Sequence, residues 1–344
     1  MKFGITIPPE GSLRDYIQWA RLAEESGFEL LGVTDSQSIR RELYATMAAV
    51  ALNTRRIRFG PRVTNPVTRH PAVAASALAT VEEVAPGRVM AAVGSGFSSI
   101  ENLGERPASL AQLREYIETI RGLHTSGVVS YRGRTVRLTW ARPRIPLFLA
   151  AHGPKTLQLA GEIADGVVVG TGVLPEVVAD SLAQIRIGAE RSGRRLEDLD
   201  IWWFVVAYVA SDRATAIDRV RTSLAGLGHG LARFTTEGKF IPPELVRPIQ
   251  ALYQAYATEE HVVTGAIGET RHNAQLLEDL GLKDYLAERF AIAGTAEECV
   301  ARLHRIREAG VNKVWISIHF PEKVEFMERW SREVMPRFGS VGND

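Results

Sequence analysis

At 344 residues the chain is long for one ordinary domain, yet within the range of a single α/β barrel carrying insertions. A hydrophobic share of 45% and a charged share of 24% are those of a globular protein, which excludes a collagen-like or disordered chain. Lys+Arg 41 against Asp+Glu 40 leaves a formal net charge of +1, so neither a basic excess for nucleic acid nor an acidic solvating tail is present.

The first element is a strand, Phe3–Ile7, ended by Pro8-Pro9, too short and too soon broken for a signal peptide. Ser12 caps a helix whose Leu13, Tyr16, Ile17, Ala20 and Ala23 share one face, and Gly27 stops it. The strand Leu30–Thr34 follows. The same cycle of helix, stop and strand gives Glu42–Asn53 then Arg58–Thr64, and Ala72–Val84 then Val89–Val93. It continues with Pro146–Ala150, the helix Lys155–Ala164 and the strand Gly166–Val169. Ile201–Val209 is the seventh strand, and the helix Ala296–Ala309 leads to the eighth, Val314–Ile318. Strands apolar on both faces and separated by helices indicate a parallel sheet covered by helices. Eight such units make a (β/α)8 TIM barrel the expected fold, with a doubly wound sheet as the alternative.

Two stretches interrupt the rhythm. Residues 128–144, with the turn Arg132-Gly133-Arg134, read as a β-hairpin insertion. A longer insertion is expected near 226–290, where loops of such length usually act as lids or binding segments. The expectation is one domain over 1–344. The lone Cys299 excludes an intrachain disulfide and a Cys-rich metal site, and a reducing cytoplasmic setting follows. The longest apolar runs, such as Val205–Ala210, fall far short of the roughly 18 residues of a membrane span. Of Trp202-Trp203, one ring should pack inside the barrel and the other against helices.

Barrel chemistry collects at the C-terminal ends of strands. Those positions hold Thr6, Asp35-Ser36, Thr64-Asn65, Gly94-Ser95-Gly96, Ala151-His152-Gly153, Gly170-Thr171-Gly172, Tyr208 and His319, a small, polar, glycine-rich set suited to close approach of a flat ligand. Gly94-Ser95-Gly96-Phe97 lacks the third glycine and the later acid of a dinucleotide fingerprint, and reads as a turn offering N–H groups or as an ordinary βα turn. Asp35 is a functional acid or a turn cap. Pro66 pushes Asn65 into an extended conformation that turns its amide to the barrel mouth, unless it serves turn chemistry alone. His70 is a catalytic candidate or a residue that holds its loop together. His152-Gly153-Pro154-Lys155 offers an anion site at a helix start, or simply starts the helix. The eight scattered histidines form no metal-ligand pattern, and neither a GxSxG elbow nor a P-loop occurs.

Four stretches together resemble the luciferase-like flavin and deazaflavin oxidoreductases. They are Met1–Ile5, Gly60–Pro71, Gly153–Gly166 and Phe290–Glu297, and the second and third are the specific ones. The branch most similar is that of the coenzyme F420-dependent methylenetetrahydromethanopterin reductases. The resemblance implies a TIM barrel with a flavin-like ring across the strand ends, backed by a bulge whose non-prolyl cis peptide would be Arg62–Val63. It implies that Asp35, Thr64 and Asn65 contact the polar edge of the ring, that Val63 backs it, and that Gly94, Ser95 and Gly96 approach it. His152, Gly153, Gly170 and Thr171 would lie towards its tail and phosphate, and Thr6, Ser36, Phe97 and His319 on the substrate side. The chain departs from the branch at Thr6, where the reductases carry glutamate, and at Ser36, where many deazaflavin enzymes carry histidine. At Phe97 an acidic residue is replaced. A pterin substrate is therefore not expected.

The leading expectation is a deazaflavin-dependent oxidoreductase passing a hydride between F420 and a small organic substrate, with Asp35, Asn65 and His70 as catalytic candidates. One alternative is an FMN-dependent monooxygenase supplied with reduced flavin by a partner reductase and using oxygen. Another is a noncatalytic flavin-binding protein. The resemblance also implies a homodimer.

Overall fold

Alternation of apolar β-branched runs with amphipathic helices sets the architecture. In the computed structural model, which describes residues 1–37, 39–257, 260 and 272–339, eleven strands are present. They are β1 (Lys2–Ile7), β2 (Leu30–Val33), β3 (Arg58–Thr64), β4 (Ala91–Val93), β5 (Val128–Tyr131), β6 (Arg134–Arg137), β7 (Leu147–Ala151), β8 (Gly166–Val169), β9 (Asp200–Val209), β10 (Ala291–Gly294) and β11 (Lys313–Ser317). Parallel pairing runs β1-β2-β3-β4-β7-β8-β9-β11 and returns from β11 to β1, so eight strands close a (β/α)8 barrel. These are the eight strands read from the sequence, with ends displaced by one or two residues. The hairpin β5–β6 stands apart as a two-stranded sheet turning at Arg132-Gly133.

Two features differ from the sequence reading. The helix Arg213–Ala232 runs unbroken through Gly226, so the excursion expected from that residue starts only after Ala232. Gly228 is tolerated there because a Cβ would lie 2.7 Å from side chains of Leu252 and Leu286, which pack against the bare backbone. The second feature is β10, which pairs with Val206–Val209 at the end of β9. Its Ala-Ile-Ala-Gly sequence carries little β propensity, and pairing with a neighbour decides it. Residues 261–271 of the expected insertion lie outside the described residues. No helix among the described residues is long and apolar enough to cross a membrane.

Two apolar layers hold the barrel. Inside the ring, Leu30, Met90, Ala92, Phe148, Val168, Trp202 and Trp315 form one core. The rings of Trp202 and Trp315 meet edge-on, 5.9 Å apart at 65°. Gly4 makes room, since a Cβ there would lie 3.1 Å from Trp202. Trp203, one residue on, points the other way and joins the layer between strands and helices, as the two-residue period of a strand requires. The helices Leu110–Thr125 and Lys323–Arg329 turn Tyr116, Ile117, Ile120, Phe326 and Met327 into that same layer. Ser12 with Asp15 and Thr295 with Glu298 form capping boxes that start their helices where the sequence places them.

β3 is the irregular strand of the ring. Its register with β4 shifts between Arg62 and Thr64, and the Arg62–Val63 peptide is cis. The register shift breaks strand alternation, so the neighbours Arg62 and Val63 both face the barrel mouth.

Candidate active site

A cleft of about 1830 Å³ opens over the C-terminal ends of the strands. Single-ligand sites usually span about 300–1,000 Å³, so this one has room for a cofactor and a second molecule. Its floor is apolar and lies at the barrel axis: Val63, Ala150, Val168, Phe204 and Val206, with Arg62 among them.

One wall is cationic. The turn Ser95–Ser99 and the start of the helix Pro154–Ile163 stand there with Arg233, Gly238 and Lys239. No side chain caps that helix at Gly153; Pro154 has no N–H and the Thr156 N–H donates to the Gly153 carbonyl (3.1 Å), so the helix offers the cleft the Lys155 N–H and the positive end of its dipole. Arg233 lies over the ring of Phe97 at 5.1 Å and 3.9 Å from Glu101. Burial pushes the Glu101 carboxyl up, against the pull of Arg233. Lys239 is buried and donates to the carbonyls of Leu231 (2.9 Å), Arg233 (3.1 Å) and Gly230 (3.4 Å), closing the C-terminal end of the helix Arg213–Ala232. Desolvation, helped by Arg289 and Arg233, pushes its pKa down to about 8. Arg289, wholly buried, ties the Lys239 and Phe240 carbonyls to that of Thr171, and so anchors this wall to the barrel.

His152 presents an exposed ring to the cleft. The atoms packed around it and then the charges of Lys239, Arg62 and Arg233 push its pKa down to about 4. The opposite wall is polar and carries Thr34–Ser36, Ser317 and His319, whose hydroxyl and ring nitrogen lie 2.9 Å apart, and Asp218, Arg219, Arg221, Thr222 and Ser223.

The sequence-named residues divide into those that line the cleft and those that support it. Asp35, Ser36, Val63, Ser95, Gly96, Phe97, His152, Gly153 and His319 line it. Asp35 does so with its carboxylate already engaged, accepting from Thr64 Oγ1 at 2.7 Å and from Arg69 at 2.8 and 3.2 Å. Thr64 is thereby spent on Asp35 rather than on the cleft. Gly94 acts from behind, since a Cβ there would lie 2.8 Å from Val63 Cγ2. Gly170 likewise leaves the space that the His152 ring fills, a Cβ coming within 2.2 Å of it. Thr171 is buried and shares a hydrogen bond with Ser181 at 2.9 Å.

Three expectations are corrected by placement. Asn65 does not turn its amide to the barrel mouth. Its oxygen accepts the N–H groups of Val67 and Thr68 and its amide donates to Thr68 and Ser99, because backbone donors two and three residues on are the nearest partners. His70 stands outside the cleft lining, where Nδ1 accepts from Ala72 N–H and caps the helix Pro71–Val84, its ring edge-on to Tyr131. Thr6 lies beneath the floor, fully buried beside Gly32 and the Arg62 stem rather than on the substrate side.

The sequence reading missed Arg62, Phe204, Arg233 and Lys239. Only Arg62 left a sequence signal, an arginine next to valine inside an otherwise buried strand. The other three reach the cleft through the length of β9 and the path of the chain after Ala232. Among the described residues, no cluster of three or more His, Cys, Asp or Glu side chains forms a metal-binding group.

With the fold and the cleft in place, a sequence match gives the family. The luciferase-like monooxygenase family model matches residues 1–313. The chain belongs to this family. It is 29% identical to the 5,10-methylenetetrahydromethanopterin reductase of Archaeoglobus fulgidus, covering 98% of this chain and 99% of that one. It is 28% identical to the F420-dependent glucose-6-phosphate dehydrogenase of Amycolatopsis mediterranei, over 96% of each chain. The solved coenzyme F420-dependent tetrahydromethanopterin reductase of Methanopyrus kandleri superposes with a TM-score of 0.76, at 25% identity and with 98% and 99% of the two chains covered.

Proposed function

We propose that the chain is an oxidoreductase that uses coenzyme F420 and exchanges a hydride with a small organic substrate. The observation that carries this reading is the pairing, in one cleft, of a largely apolar floor with a cationic wall. The floor suits a planar ring. The wall, with its open helix N-terminus, Lys155 and Arg233, suits an anionic tail. Relatives of near-full-length similarity carry F420 in their names, which favours the deazaflavin over FMN.

When bound, the cofactor supplies the hydride at its ring; the protein's share is binding, orientation and exclusion of water. Val63 backs the ring, held forward by the bulge and left free by Gly94. Ser95 and Gly96 approach with backbone, since the positive φ of Gly96 (92°) and the Ile100 side chain leave no place for a Cβ. His152 and Gly153 lie towards the tail. Asp35 acts as a positioning residue, its charge holding Arg69 and Thr64 rather than moving a proton. Ser36, bonded to Ser98 at 2.8 Å, lines the substrate side with Phe97 and His319. The same reading includes a homodimer, as the family resemblance suggests, and a cytoplasmic setting, as the lone cysteine suggests.

The test is a fluorescence titration of the purified protein with F420 and, separately, with FMN. Binding of F420 at least tenfold tighter than FMN is expected. The reverse preference would move the chain to the oxygen-using, FMN-dependent reading and to a search for a partner reductase. Binding of neither would overturn the cofactor reading altogether.

A further inference from the structure

Among the described residues, five arginines line the cleft: Arg40, Arg62, Arg219, Arg221 and Arg233. Four of them have a carboxylate. Arg40 meets Glu10 at 3.3 Å, Arg219 meets Glu322 at 3.1 Å, Arg221 meets Asp218 at 3.2 Å and Arg233 meets Glu101 at 3.9 Å. Arg62 has neither an ion pair nor a hydrogen bond among the described residues. Its guanidinium lies over the rings of Phe204 (4.0 Å) and Trp315 (5.3 Å), and its Nε is buried without a partner. Lys239, Arg62 and Arg233 all act on His152 with the same sign, so the charges on this side of the cleft are cationic.

A half-buried cation without a partner is costly where its surroundings are apolar. Desolvation by the floor lowers the Arg62 pKa, which expresses the same penalty. The aromatic faces of Phe204 and Trp315 offset only part of it. The two aromatic contacts do hold the guanidinium in place at the floor. A guanidinium held so is ready to donate two parallel hydrogen bonds to one planar anion.

We propose that Arg62 is the anion-recognition residue of the cleft floor, selecting a ligand that presents two adjacent acceptor atoms of a planar, delocalised anion. This rests on the F420 reading for its setting, and it goes beyond it by assigning ligand chemistry to a residue of this chain. Two sources share that chemistry: a carboxylate on the substrate, and the conjugated O–C–N edge of the reduced ring. Arg62 would then be a specificity residue. It would reject uncharged substrates or neutral ring states because those leave its charge unpaired.

The test uses the wild-type protein, Arg62→Met and Arg62→Lys. Methionine keeps the apolar stem and removes the charge; lysine keeps a charge and loses the fork. Affinities are measured by fluorescence for oxidised and reduced F420, and by calorimetry for benzoate added to the protein with and without F420. Urea midpoints are read in parallel.

About a tenfold loss of affinity in Arg62→Met, with a smaller loss in Arg62→Lys and a urea midpoint unchanged or raised, supports the proposal. Loss confined to reduced F420 assigns the anion to the ring, and loss confined to benzoate assigns it to the substrate. Affinities within twofold of wild type for every probe overturn it, whatever the stability does. Should the wild-type protein bind no F420, the cofactor reading fails, and the benzoate arm on the cofactor-free protein still decides the role of Arg62. If Arg62→Met does not fold, an Arg62→Lys variant with unchanged affinities overturns the bidentate reading.

Discussion

The Asp35–Arg69 pair gives a prediction in which the two partners are unequal. The Asp35 side chain is 1% exposed and the Arg69 side chain 18%. Arg69 also meets Glu42 at 2.9 Å and lies over the Tyr44 ring at 5.1 Å. Desolvation works against its charge, but the hydrogen bonds of Asp35 and Glu42 more than reverse this and hold the guanidinium above its ordinary pKa. Arg69→Met therefore strands a carboxylate in the interior with only the Thr64 hydroxyl, the situation in which breaking a buried pair costs about 3–5 kcal/mol. Asp35→Asn leaves a guanidinium that keeps Glu42 and part of its solvent, and an amide oxygen that still accepts. Its cost should be about 2 kcal/mol. A double-mutant cycle should return a coupling of about 1–3 kcal/mol. Urea unfolding followed by tryptophan fluorescence measures all three. A cost for Asp35→Asn equal to or above that of Arg69→Met, or a coupling below about 0.5 kcal/mol, would contradict this account of the pair. A folded Asp35→Asn protein of wild-type stability that binds F420 but transfers no hydride would return a chemical role to Asp35.

His70→Ala removes a helix cap and should cost about 1 kcal/mol by urea unfolding, while F420 affinity stays within twofold; a collapse of affinity would put His70 back in the site. Gly170→Ala places a Cβ 2.2 Å from the His152 ring and should weaken F420 binding by about tenfold with the far-ultraviolet spectrum unchanged; unaltered binding would remove His152 from the cofactor wall. Lys239 is protonated more readily in the unfolded chain, at about 10.4, than in the fold, at about 8, so the folded state gains stability as pH rises between these values. The stability of wild type relative to Lys239→Met should accordingly increase by about 2–3 kcal/mol from pH 8 to pH 10, and a flat difference would count against the desolvation assigned to this lysine.

Much of the barrel was legible along the chain because its signals are local. Apolar runs such as Gly166–Val169, caps such as Ser12, and the opposite facing of Trp202 and Trp203 each depend on a few neighbouring residues. β10 escaped because Ile292 alone among two alanines and a glycine is a weak strand signal, and pairing with β9 orders the segment. The continuous helix through Gly226 escaped because the packing at its glycines comes from residues far along the sequence, Leu252 and Leu286 against Gly228.

The site divides in the same way. Residue order alone placed polar and glycine residues at the strand ends, which follows from where a barrel's loops begin. Which of them face the cleft was settled by competition among nearby partners in three dimensions. Asn65 and His70 were taken by backbone N–H groups two or three residues away, Thr64 by Asp35, and Asp35 by Arg69. Arg62 reached the floor because a register shift in β3 turned two successive side chains to one side, against the alternation that sequence periodicity assumes. A hydrogen bond or a bulge depends on what the fold brings within about 3 Å, and that distance is fixed only once the barrel has closed.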